Sequence, residues 1–151
     1  MELRFEFVDS NVEEVVCLGL GGLRQVSTVI IKLNGFVFKG KAFCHPDDYF
    51  SEFSGCKIAE MRAKRAALKF MLKQKQKEVH KLENFVKAVE GYKEFDKKSK
   101  TARCMYRQLN RYRAEVRELK CAIAHNKICE EKYIENLDNL NKSKEDKAKE
   151  D

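Results

Sequence analysis

Cys44, His45, Asp47 and Asp48 stand almost side by side in FCHPDDYF, residues 43–50, and each can bind a metal ion or take part in proton transfer. Adjacent residues on a strand point to opposite faces, so Cys44 and His45 cannot readily share one ion. Cys56 is near in sequence but falls at the start of a predicted helix, and Cys17 belongs to another strand. A zinc site would have to gather scattered ligands, and the chain holds no CxxC pair. For Pro46-Asp47 to begin a PD-(D/E)xK arrangement, the chain would need a second carboxylate and a lysine on an adjacent strand to hold Mg²⁺ beside water. The next acid of that kind, Glu60 in AEMRAK, sits on helical spacing instead. The stretch therefore reads as a strand that proline ends, with Asp47, Asp48 or Ser51 capping the helix that follows.

Cys121, His125 and Cys129 recur at i, i+4 and i+8, but the outer two lie about 12 Å apart by helix rise and cannot hold one ion. His80 falls among polar positions. No nucleophile with a histidine partner and no paired-carboxylate cleft can be assembled, so there is no positive case for an enzyme, a metal or a cofactor. What remains is positive charge. Residues 57–120 hold 20 Lys+Arg against 8 Asp+Glu, net +12, between ends of net −3 (residues 1–56) and −2 (residues 121–151). Such a field attracts polyanions or acidic proteins. Its candidate contacts are Lys57, Arg62, Lys64, Arg65, Lys69 and Lys73, then Arg103, Arg107, Arg111, Arg113 and Arg117. The i, i+4, i+8 spacing of Arg103, Arg107 and Arg111 suits forked contacts to phosphate or carboxylate.

Two kinds of element must position these groups. LRFEFV alternates, VVCLGL is a second apolar run, and VSTVIIKLNGFVFKGKAF flanks Asn34-Gly35 with β-branched and aromatic residues. That dipeptide tolerates the positive φ of a tight hairpin turn and predicts strands near 26–33 and 36–43. Beyond residue 50 the period changes to 3.5. One series runs Ile58, Met61, Leu68, Leu72, Val79, Leu82, Val86 and Val89, with Arg65 and Lys75 as polar interruptions. The other runs Met105, Leu109, Tyr112, Val116, Leu119, Ile123, Asn126, Glu130, Tyr133, Leu137 and Leu140. About five heptads in each predict a coiled coil, and GYKEFDKKSKT between them predicts a turn with Ser99 or Thr101 as N-cap.

The expected fold is α+β: a small antiparallel β-sheet head (residues 1–56) followed by a long antiparallel coiled-coil helical hairpin (57–141). Its helices are placed at about 50–93 and 102–140, and 142–151 is read as a disordered tail lacking apolar residues. Two helices shield little of each other. That shortfall, with the polar seam positions and a second stripe on the later helix, predicts a homodimer with Cys121, His125, Asn126 and Ile128 at its interface. No apolar run approaches the roughly 20 residues of a membrane span. With no leader-like opening, the chain reads as cytoplasmic, its six cysteines as reduced thiols.

VIIKLNGFVFKGKAFCHPDDYFSEFSGCKIAEMRAKRAALKFML resembles small, mostly uncharacterised proteins of bacteriophages and prophages. They share a GxAxCxPxD step and then GxxIAExRA on a helix. The matching residues are Gly40, Ala42, Cys44, Pro46, Asp47, Gly55, Ile58, Ala59, Glu60, Arg62 and Ala63. The same stretch is similar, more loosely, to the β-β-α end of double-stranded-RNA-binding domains, with Lys57 and Ala59 matching the start of their phosphate-contacting helix. Ile58 and Glu60 stand where those domains carry lysines. The phage resemblance implies a bacterial host cell. Joined to a small head, long basic arms and no active site, it leads to a non-catalytic interaction protein that binds and inhibits a host nucleic-acid-directed defence complex, as anti-CRISPR proteins do. The expected partner is a host protein or ribonucleoprotein complex. Direct DNA or RNA binding and a coiled-coil assembly component are the alternatives.

Overall fold

The computed structural model describes the backbone of residues 3–16, 23–44 and 51–150, and their side chains apart from those of 16, 23 and 143–150. The fold is α+β: a three-stranded antiparallel sheet followed by two long helices. The strands β1 (Glu6–Val16), β2 (Leu23–Leu33) and β3 (Phe36–Phe43) lie in the order β1-β2-β3, and the helices are α1 (Glu52–Glu90) and α2 (Lys100–Glu150). The chain forms two compact units. One comprises residues 68–123. The other comprises 2–67 and 124–151, and so holds the sheet.

Within the sheet-bearing unit, β2 and β3 turn at Asn34-Gly35, whose φ angles of 51° and 81° are those of the tight hairpin turn that the dipeptide predicts. The β1 register shifts between Phe7 and Asp9, leaving Val8 as an extra residue. Apolar alternation therefore fails along β1, which is longer than LRFEFV suggests.

One face of the sheet receives α1 through small residues. Gly40 is buried, and Ala59, Ala63 and Ala67 are fully buried on α1. A Cβ built on Gly40 would lie closer than 3.0 Å to the Ala59 carbonyl and the Ala63 nitrogen, both backbone atoms. The sheet can approach the helix this closely only because position 40 lacks a side chain. Val29, Ile31, Leu33 and Ala42 complete this core, each of the larger three worth about 2 kcal/mol of apolar burial.

In the unit of residues 68–123 the heptad positions form the seam. Leu68, Val86, Leu109 and Leu119 are buried, and Leu72, Val79, Leu82, Val89, Met105 and Val116 are half-buried. The pairing is antiparallel, as Glu83–Arg113 and Glu90–Tyr106 contacts require. Ser99 accepts a hydrogen bond from the Ala102 amide at 3.1 Å and is the N-cap of α2. The α2 backbone stays helical to Glu150, beyond the expected end near 140. The sequence there is rich in Lys, Glu and Ala, which have high helix propensity.

Candidate interaction surface

His45, Pro46, Asp47 and Asp48 lie outside the described residues. Cys44 extends the β2–β3 ladder, its amide donating to the Gln25 carbonyl at 3.0 Å. The N-cap position of α1 holds Ser51, whose hydroxyl accepts from the Ser54 amide at 3.4 Å. Cys44, Ser27, Ser51, Arg62, Asp138 and Asn141 line part of a cavity of about 170 Å³. The Ser27 hydroxyl there is buried with no hydrogen-bond partner, and the polar lining and volume suit several water molecules. Among the described residues no three His, Cys, Asp or Glu side chains converge as a metal site would require. Cys129 and His125 do meet, with Sγ and Nε2 3.4 Å apart.

The eleven basic candidates divide into two groups. Arg62 and Arg65 turn to the same carboxylate, Glu130, which is only 6% exposed. Arg62 Nε donates to Oε1 at 2.7 Å, and Arg65 forms an ion pair with the other oxygen. Arg62 also donates through Nη1 to the Lys41 carbonyl at 2.9 Å. In an antiparallel ladder that bonds Cys44 to β2, Lys41 turns its backbone to the open side of β3, so Arg62 satisfies a free edge acceptor. Burial pulls the Arg62 pKa below its ordinary value without removing the charge. Lys64 pairs with Glu60 one turn away and lies 5.8 Å from the Phe5 ring centroid.

Arg113 donates to Glu83 through both Nε and Nη2, at 3.1 and 2.7 Å, and holds that carboxyl below its usual range. Arg111 reaches Glu115 at 3.3 Å while remaining 72% exposed. Lys75, the polar interruption of the α1 seam, bonds Glu78 at 2.7 Å and Glu115 at 2.9 Å and lies over the Tyr112 ring.

Lys57, Lys69, Lys73, Arg103, Arg107 and Arg117 form the second group. All six are exposed, and none has an acidic partner among the described residues. Five of them belong to the unit of residues 68–123, which carries 16 Lys+Arg against 7 Asp+Glu, net +9. Four of those acids, Glu78, Glu83, Glu90 and Glu115, are already paired within the unit. The excess positive charge is therefore left to solvent or a partner. Arg103 and Arg107 stand one turn apart on α2, so both point to the same side.

Of the expected interface residues, Cys121 and His125 are exposed, Ile128 is 48% exposed, and Asn126 is half-buried with its Oδ1 unpartnered. The charge pattern does not announce the exposed aromatics of the basic unit, Phe85 and Tyr92. Phe85 falls between the seam positions Leu82, Val86 and Val89, and an aromatic off the seam is the signal that would have found it.

No helix of the described residues is long and apolar enough to cross a membrane. Comparison with protein-family models, curated proteins and solved structures gives no match to this chain.

Proposed function

We propose that this chain is a non-catalytic interaction protein whose basic helices grip an acidic partner, and that the partner is a host nucleic-acid-directed defence complex, which it inhibits. One observation carries the reading: in residues 68–123 a net charge of +9 leaves Lys69, Lys73, Arg103, Arg107 and Arg117 exposed, with no acidic partner among the described residues. A helix surface that served only as a spacer would gain stability from balanced i, i+4 pairs, whereas unbalanced cations repel one another until an anion neutralises them. The resemblance to phage proteins supplies the host setting, and a defence ribonucleoprotein offers both acidic protein and phosphate.

The test is co-elution of the purified chain with candidate defence complexes on a sizing column, beside the double reversal Arg103→Glu/Arg107→Glu. Wild type shifts with a complex and blocks its nucleic-acid cleavage, and the reversal does neither while keeping its helical circular dichroism. If no complex co-elutes, or the reversal inhibits as well as wild type, the reading is wrong.

A further inference from the structure

Beyond the end of α1 the chain makes a turn that the seam does not use. Val89, Tyr92, Lys93, Glu94 and Phe95 line an open hollow of about 510 Å³ there. The Tyr92 amide donates to the Val89 carbonyl and the Phe95 amide to the Tyr92 carbonyl, both at 3.1 Å. These bonds hold the two aromatic residues in one turn. Tyr92 is 72% exposed, which leaves much of its side chain open to a ligand. Lys93 and Glu94 are exposed and have no ion-pair partner among the described residues. Along α1, Phe85 is 58% exposed, and Lys81 and Lys77 precede it by one and two turns, also exposed and unpaired.

Each part matches one part of a nucleotide. Aromatic faces stack on bases whatever their sequence, and lysines answer the phosphates. A carboxylate accepts from an exocyclic amine such as cytosine N4. Bases inside a duplex are already stacked on one another and cannot enter. We propose that this hollow is a binding site for an unstacked base of a single-stranded nucleic acid, with Tyr92 and Phe95 as stacking faces, Glu94 reading an amino group and Lys93 beside the phosphate. Lys77, Lys81 and Phe85 extend the track along α1. The proposal rests on the reading above that the basic helices meet a nucleic-acid-bearing complex, and it assigns part of that contact to the strand itself.

Fluorescence anisotropy of the full chain with labelled oligo(dC), oligo(dT) and a duplex of equal length, at low and moderate salt, tests it. Single strands bind more tightly than the duplex, and oligo(dC) exceeds oligo(dT) by about threefold or more. Tyr92→Ala weakens single-strand binding about tenfold, Tyr92→Phe restores it, and Glu94→Gln erases the preference for oligo(dC). Because Tyr92 is so exposed, its loss should leave the helical signal unchanged. Equal affinity for duplex and single strand, or an unaltered affinity in Tyr92→Ala, overturns the site. So does binding of polyglutamate with the same dependence on Tyr92. If Tyr92→Ala binds single strands normally while Arg103→Glu/Arg107→Glu alone loses the defence complex, the base site falls and the proposed function stands. If no defence complex co-elutes but single strands still depend on Tyr92, the reverse holds.

Discussion

Glu130 offers the sharpest test of how the sheet-bearing unit is held together. Its carboxylate is nearly buried and faces two guanidinium groups, with side-chain exposures of 39% for Arg62 and 18% for Arg65. Glu130→Ala leaves both cations without their anion. Removing one member of a buried pair costs about 3–5 kcal/mol, and an exposed pair contributes about 0–1 kcal/mol. Arg62 is partly open to water and keeps the Lys41 carbonyl, so its share of the loss is small. Arg65 is more enclosed and carries most of the cost. The expected destabilisation is about 2–3 kcal/mol, which lowers a urea midpoint by about 1–2 M at the slope usual for a small protein.

Urea unfolding followed by far-UV circular dichroism measures it, and hydrogen exchange of the β3 amides places the loss in this unit. Glu130→Gln keeps the shape and one acceptor, and falls between wild type and alanine. Removing all three charges, as Arg62→Met/Arg65→Leu/Glu130→Leu, brings stability back to within about 1 kcal/mol of wild type or above it, because no unpaired charge remains. A Glu130→Ala midpoint indistinguishable from wild type would refute the reasoning. It would mean that water, not Glu130, solvates the two arginines.

Three further outcomes follow from local geometry. Gly40→Ala drives a methyl into the α1 backbone at Ala59 and Ala63 and should cost about 3 kcal/mol or more, read as a lowered thermal midpoint with protection lost from β3. At Lys75, burial opposes the charge, but the bonds to Glu78 and Glu115 outweigh it and raise the pKa above 10.5; the Lys75 hydrogen bond in turn lowers the Glu115 pKa below 4.5. The Glu115 contribution is complete above pH 4.5 and lost as pH falls through its lower folded value, while that of Lys75 is complete below 10.5 and lost as pH rises through its higher one. The stability difference between wild type and Glu115→Gln should therefore be flat between those limits and shrink outside both, as urea unfolding across a pH series would reveal. Ser99→Ala removes the α2 N-cap and should cost about 1 kcal/mol in the same assay, with Ser99→Asp close to wild type.

The local signals in the sequence translated directly into structure. Asn34-Gly35 names its own turn because few other dipeptides accept two positive φ angles, and the 3.5-residue spacing names the seam because only that face can be shared between helices. The α2 cap was legible down to Ser99 or Thr101 for the same reason, since capping is decided within four residues, and the structure selects Ser99. Long-range pairings were legible only by halves. Arg65 and Glu130 each interrupt an apolar series, yet nothing in the sequence joins positions so far apart. Gly40 opposite Ala59 and Ala63 is of the same kind, since the need for a missing Cβ arises only once strand and helix meet. Phe85 and Tyr92 escaped because charge dominates their surroundings, and exposure of an aromatic residue is known only when the seam's true edges are known.

Several residues of the GxAxCxPxD and GxxIAExRA steps have a structural task. Gly40, Ala42, Ala59 and Ala63 are the small residues of the sheet–helix contact, and Arg62 ties α1 to the β3 edge and to Glu130. These residues build a scaffold, and several are inaccessible to any partner. The charge left unpaired is concentrated in residues 68–123, outside the part of the motif that packs α1 on the sheet. The packing of α1 on the sheet therefore does not constrain the helical surface that carries the excess charge, and that surface can change while the packing residues stay the same. The consequence for mutagenesis is direct. Reversing Arg65 places two negative charges together at Glu130 and destabilises the sheet-bearing unit, so a binding defect there confounds fold with contact; reversing Arg62 does the same to a smaller degree. Reversing Lys69, Lys73, Arg103, Arg107 or Arg117 breaks no ion pair among the described residues, so a loss of the proposed binding there would report on contact with the partner and not on the fold.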